Sequence, residues 1–140
     1  MPRIKIELPV KFHFKTKICI RVSDINYGGH LGNDSLLSII QEARVQFLSS
    51  IGSTELNFFG VAMIMSDVAI VYKSEGFYGE ELIIEIAVAE ISRVGFELFY
   101  KISEAKSNRE VAIAKTGMIS FDYQNRKVVS VPDEFKKLYI

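Results

Sequence analysis

The sequence holds a single cysteine, Cys19, so no internal disulfide can staple the fold. That suits a reducing compartment. Cys19 stands between Ile18 and Ile20, the setting of a strand residue, with nothing beside it in sequence to activate a thiol. Histidine is almost as scarce: His13 and His30 form no pair at metal-binding spacing, and Cys19 does not complete a zinc cluster, so no metal is expected. Neither sign of charge is in excess, with Lys+Arg and Asp+Glu both at 17, and no overall field draws in a polyanion. The nearest thing to a basic stripe is Lys11, Lys15, Lys17 and Arg21, which reads either as a solvated strand face or as a receiver for a substrate's phosphates. Nucleic acid is not an expected partner.

Long apolar runs are missing too, and with them any helical membrane span. Residues 1–10 are interrupted by Pro2, Arg3, Lys5, Glu7 and Pro9, so they lack the core of a secretory signal. A cytoplasmic protein without a membrane partner is the expectation. No Gly-x-Ser-x-Gly surrounds Ser23, Ser35 or Ser38, and neither Gly-x-Gly-x-x-Gly nor a P-loop lysine motif occurs. Serine-elbow hydrolysis, dinucleotide redox chemistry and nucleotide hydrolysis are thereby unsupported.

What is present fits one globular domain over residues 1–140, with 49% hydrophobic and 24% charged residues. Residues 14–22 alternate, Phe14, Thr16, Ile18, Ile20 and Val22 facing one way and Lys15, Lys17, Cys19 and Arg21 the other, the pattern of a half-buried strand. A glycine-rich loop follows to residue 33. The period then changes: Leu36, Ile40, Ala43, Phe47 and Ile51 recur at three and four, which predicts an amphipathic helix over 34–50. Asn33 or Asp34 would cap it and Gly52 would end it. At 1.5 Å per residue it would be about 25 Å long, enough to cross a small sheet. Four more strand-like runs, 62–73, 81–92, 94–103 and 110–123, supply that sheet. Their short connections predict an antiparallel meander. Asn125 to Lys127 makes a turn, and Pro132, Asp133 and Glu134 open a short helix ending near Tyr139. The result is an α+β domain with the helix on one face of the sheet, whose unpaired edges predict a homodimer or a dimer of dimers.

The loop and helix carry a more specific pattern. The string Asp24-Ile25-Asn26-Tyr27-Gly28-Gly29-His30-Leu31-Gly32-Asn33-Asp34, running into Gln41-Glu42-Ala43-Arg44, resembles the hotdog-fold acyl-CoA thioesterases of the hydroxybenzoyl-CoA thioesterase branch. In the spacing of Asp24, Asn26, His30 and Asn33 it is also similar to acyl-ACP thioesterases. The resemblance implies a five-stranded antiparallel sheet wrapped around one long central helix, and active sites between protomers. It implies that the helix start, from Gly32 through Asn33 and Asp34 to Ser35, polarises a thioester carbonyl with free N–H groups. The substrate would be an acyl-CoA or acyl-ACP, with coenzyme A as part of the substrate and no other cofactor.

One residue departs from that pattern. Asn26 occupies the position at which the resembling enzymes carry a carboxylate, and an amide is neither base nor nucleophile at neutral pH. His30 is a candidate for proton transfer, and Asp24 or Glu42 for the missing carboxylate. Asn26 itself can hold a water or the thioester oxygen. Each has a plainer reading: Asp24 as a turn former, His30 as a loop tie, Glu42 as a solvated helix residue, Asn33 and Asp34 as caps. Met63 and Met65 fit an acyl pocket or an ordinary core. Lys73 and Arg93, at strand ends, are the candidates for phosphate contacts. Two alternatives to hydrolysis stay open. One is an acyl-thioester hydratase or dehydratase pairing His30 with Glu42; the other is a non-catalytic acyl-thioester-binding protein.

Overall fold

A computed structural model describes residues 3–140. Met1 and Pro2, the start of the segment weighed above as a leader, lie outside the described residues. Strand β1, Phe14–Cys19, alternates half-buried and exposed residues as its sequence requires. It stops three residues earlier than expected. The Asp24 carboxylate accepts the Arg21 backbone N–H at 2.8 Å and folds Val22–Asp24 into a 3-10 turn, which leaves Val22 exposed rather than facing inward.

Helix α1, Asn33–Ser50, buries Leu36, Ile39, Ile40, Ala43, Phe47 and Leu48 along one stripe. Fully burying such a side chain stabilises the fold by about 1.5–3 kcal/mol. Gly52 ends the helix in the left-handed region at φ 74°, and the Ser53 N–H closes on the Leu48 carbonyl at 2.8 Å. The strands β2 (Ala62–Tyr72), β3 (Glu81–Ala89), β4 (Gly95–Glu104) and β5 (Glu110–Asp122) follow. A two-residue strand β6, Lys127–Val128, pairs with β5, so the turn expected over Asn125 to Lys127 lies earlier, over residues 123–126. Helix α2, Asp133–Tyr139, starts after Pro132 and seats Phe135 between Phe58 and Phe96 at centroid distances of 4.8 and 4.5 Å.

The sheet is antiparallel with strand order β1-β3-β4-β5-β2. Only β3-β4-β5 is the expected meander. β2 lies beside β5 at the far edge, and β1 takes the place beside β3. This order curls the sheet around α1 with the strands before and after the helix at opposite edges. The link over residues 73–80 therefore crosses the end of the sheet instead of making a hairpin. Arg109 holds it there, donating to Ser74 Oγ at 3.1 Å, to the Glu75 carbonyl at 2.9 Å and to Glu80 Oε1 at 2.9 Å.

The helix is also pinned to the sheet by a polar group that its periodicity does not announce. Arg44 sits on the buried side, 4% exposed. It donates from Nε to Glu55 Oε1 at 3.0 Å and from Nη1 to the Tyr100 hydroxyl at 3.2 Å; Tyr100 in turn shares a 2.8 Å hydrogen bond with Thr116. Removing one member of such a set strands its partners. Arg44→Ala is expected to lower unfolding free energy in urea by about 3–5 kcal/mol, and Tyr100→Phe by about 1 kcal/mol.

The β4–β5 turn carries a second polar anchor. The Glu104 carboxylate accepts the Lys106 and Ser107 N–H groups and the Ser107 hydroxyl, which brings its pKa from 4.5 down to about 2. A depressed folded-state pKa contributes stability above the unfolded value and loses it as pH falls through the folded one. Acid titration should therefore weaken the protein between pH 4.5 and about 2, and Glu104→Gln should remove that part of the pH dependence of Tm.

Candidate active site

The glycine-rich loop closes on itself. The Asn26 N–H donates to the His30 carbonyl at 2.9 Å, the Gly29 N–H to the Asn26 carbonyl at 3.1 Å, and Ile25 bridges Leu31. Gly29 takes φ 81°, the left-handed conformation that glycine supplies without strain. The Asn26 side-chain oxygen accepts the Gly28 N–H at 2.9 Å, so the amide NH2 of Asn26 keeps its donors for the cleft. His30 folds over the same glycine: a Cβ at position 28 would stand 3.3 Å from both Asn26 Oδ1 and His30 Nε2.

Two backbone bonds then fix the start of α1. The Leu31 N–H reaches the Gly76 carbonyl on the crossing link at 2.7 Å, and the Gly32 N–H reaches the Asp24 carbonyl at 3.0 Å. Gly32 is the N-cap, with no side chain among the described residues capping the helix; Asn33 is the first helical residue rather than the cap. Gly32's own N–H is therefore engaged, whereas those of Asn33, Asp34 and Ser35 belong to the first turn, where a helix has no carbonyl to offer them. They carry the positive end of the helix dipole, a group of donors able to stabilise a developing negative charge.

Beside this helix start lies a cleft of about 730 Å³ lined by Asn26, Tyr27, His30, Leu31, Asn33, Asp34, Tyr72, Lys73, Ser74 and Glu75. It gathers Asn26, His30, Asn33, Asp34 and Lys73 from the sequence candidates. Asp24 and Glu42 are elsewhere: both line a second cleft of about 350 Å³ with Ile18, Cys19, Arg21, Ser38 and Ile39. Asp24 is 4% exposed and its carboxylate is spent on Arg21, by an N–H bond and an ion pair of 3.4 Å. Glu42 accepts the Gln46 amide at 2.9 Å. Within one protomer, then, neither carboxylate serves the cleft that holds His30, because the 3-10 turn and the helix's polar face direct them away from it. Arg93 is separated as well. Lys73 bonds Val111 at the start of β5, and Val94, next to Arg93, takes the Ser120 N–H near its end, roughly 30 Å away at the rise of a strand. Lys73 lies 3.9 Å from Glu110. Met63 belongs to the core, and Met65 is exposed on β2.

Tyr72, like Ser74 and Glu75, is a cleft residue that the sequence did not single out. Its hydroxyl donates to the Asn33 carbonyl at 3.3 Å. Burial first, and the Asp34 carboxylate second, push that hydroxyl above the ordinary phenol range. The one signal in the sequence is its place at the end of β2, where alternation turns it toward the helix.

The chain matches the model of the thioesterase-like superfamily over residues 20–138, and it belongs to that superfamily. Thioester hydrolysis is the chemistry that this membership assigns to it. Comparison with curated proteins gives no match. Among solved structures, the chain is similar to a 1,4-dihydroxy-2-naphthoyl-CoA thioesterase from Synechocystis, with a TM-score of 0.81 and 21% identity over 89% of this chain and 93% of that one. It is similar to a DHNA-CoA thioesterase from Staphylococcus aureus, with a TM-score of 0.78 and 20% identity over 89% and 84%. A putative thioesterase from Pseudomonas aeruginosa superposes with a TM-score of 0.82 at 13% identity over 91% and 98%. These likenesses establish the hotdog fold: an antiparallel sheet wrapped around a long helix.

Gly28→Ala probes the loop without backbone strain. Its Cβ would crowd Asn26 and His30 together, and kcat for thioester hydrolysis is expected to fall about tenfold in a steady-state thiol-release assay.

Proposed function

We propose that the protein hydrolyses acyl-CoA thioesters, an acyl carrier protein being the alternative carrier, in the cleft at the start of α1. The observation that carries this reading is the uncapped first turn of the helix with His30 and Asn26 beside it. The thioester carbonyl oxygen takes the N–H groups of the first turn, and the Asn26 amide orients the attacking water. His30, with its Nδ1 3.3 Å from the Leu31 carbonyl, presents Nε2 on the side of Gly28 and Asn26 for proton transfer. Lys73, at the rim, is the protomer's own contact for the carrier's phosphates.

The same reading includes a second copy of the chain. β2 is an edge strand that exposes Met65, Val68 and Tyr72, and it forms one wall of the open cleft. Pairing that edge across a two-fold axis covers the apolar residues and narrows the site. Lys15 and Lys17 are exposed on β1, at the other edge.

Asn26 supports one competing reading, a protein that binds acyl thioesters without turning them over. Purified protein with a panel of acyl-CoAs separates the two. Turnover by wild type, with kcat reduced about 100-fold in His30→Ala or Asn26→Ala, is the result expected of an enzyme. Saturable binding of an acyl-CoA by calorimetry with no thiol released would instead establish the binding protein.

A further inference from the structure

Hydrolysis at this cleft requires a base for the water that Asn26 orients, with His30 left to carry the proton onward, and the Asn26 amide cannot be that base. Asp24 and Glu42 open on the second cleft. Two carboxylates do line the first, Asp34 and Glu75. Glu75 is exposed on the crossing link, its carbonyl held by Arg109. Asp34 is on the first turn of α1, and its position depends on what residue 32 lacks. One Asp34 carboxylate oxygen lies 2.7 Å from where a Cβ of Gly32 would be, and the Asn26 Cβ lies 3.5 Å from the same point. A side chain at 32 would fill that space. With glycine there, the Asp34 side chain folds back along the helix start, its oxygen and the Asn26 Cβ bordering the same open space. Tyr72 closes the far side, its hydroxyl tied to the Asn33 carbonyl and raised in pKa partly by Asp34. Among the described residues Asp34 makes no ion pair and caps no N–H group.

We propose that Asp34 is the general base of the reaction, supplying beside Asn26 the carboxylate that Asn26 lacks through the space left open by Gly32. This rests on the hydrolytic reading above. The water oxygen bonds to the thioester carbonyl carbon as one water proton passes to the Asp34 carboxylate and the carbonyl electron pair moves onto oxygen. That oxygen is held by the first-turn N–H groups. The carbonyl then re-forms, the C–S bond breaks with its electron pair leaving on sulfur, and the proton on Asp34 passes by way of His30 to the thiolate. A carboxylic acid and a thiol result, and Asp34 is ready for a second turnover.

The plain alternative is that Asp34 only complements the helix dipole, a role that adds slightly to stability and nothing to rate. Asp34→Asn keeps size and shape while removing the base. Assayed on the full chain against the acyl-CoA panel, it should lower kcat about 100-fold with KM changed by no more than about twofold. Moving the carboxylate, in the double variant Asn26→Asp with Asp34→Asn, should recover at least about tenfold of that loss.

Gly32→Ala is an independent probe. Position 32 has φ −73° and ψ 149°, which alanine adopts freely, but the new Cβ would displace the Asp34 oxygen. It should therefore reduce kcat about as much as Asp34→Asn, and the two together should cost no more than either alone. Undiminished kcat in Asp34→Asn, or a loss that follows the folded fraction in thermal melts, would overturn the assignment while leaving hydrolysis in place. A wild-type protein that releases no thiol from any member of the panel refutes the hydrolytic reading, and with it the base.

Discussion

The first turn of α1 is held from outside by main-chain hydrogen bonds, and the rest of the cleft depends on that choice of anchor. A serine, threonine or aspartate at the N-cap would spend the helix's free N–H groups on its own side chain. Here the cap is Gly32, and the restraint comes from the Gly32 N–H on the Asp24 carbonyl and the Leu31 N–H on the Gly76 carbonyl. The helix start is fixed, yet its donors are not consumed by the fixing. Asp24, which has the residue type of a catalytic acid, is drawn into this scaffold: its carboxylate builds the 3-10 turn and its carbonyl receives the helix.

The crossing link supplies the other half of the anchor, and its shape follows from the strand order. Because β2 and β3 are separated by β5 and β4, residues 73–80 must pass over the end of the sheet, directly beside the helix start. Gly76 permits the approach. A Cβ there would stand 2.8 Å from Ile20 Cδ1 and 3.2 Å from Leu31 Cβ. Arg109 then ties the link to the β4–β5 turn, so the cleft wall has the rigidity of the sheet and not that of a free loop.

Periodicity made most of the elements legible, because it reports which faces are buried. It does not report which strand lies beside which, and so the meander was right for β3, β4 and β5 and wrong for β2. The loop and the helix start, both legible in the sequence, border the cleft at the start of α1. What the sequence hid were effects of the third dimension. Glu42 belongs to the helix that forms the cleft, but it points to another side of it. Arg44 interrupts an apolar stripe without warning, since its partners Glu55 and Tyr100, and Thr116 behind Tyr100, lie beyond the helix in the chain. Tyr72 reaches the site only because its strand lies at an edge.

The pairing of β1 with β3 has a consequence for how the chain is made. During synthesis β1 and α1 emerge first, but the strand that pairs with β1 is residues 81–89, and the sheet that covers the helix is finished only with β5. For that interval the apolar stripe of α1 has no partner and β1 has both edges open. Such contacts between distant parts of a sequence slow folding and expose sticky surface to other molecules. The exposed Lys15 and Lys17 put charge on that open strand, the kind of residue that disfavours edge-to-edge pairing with another chain.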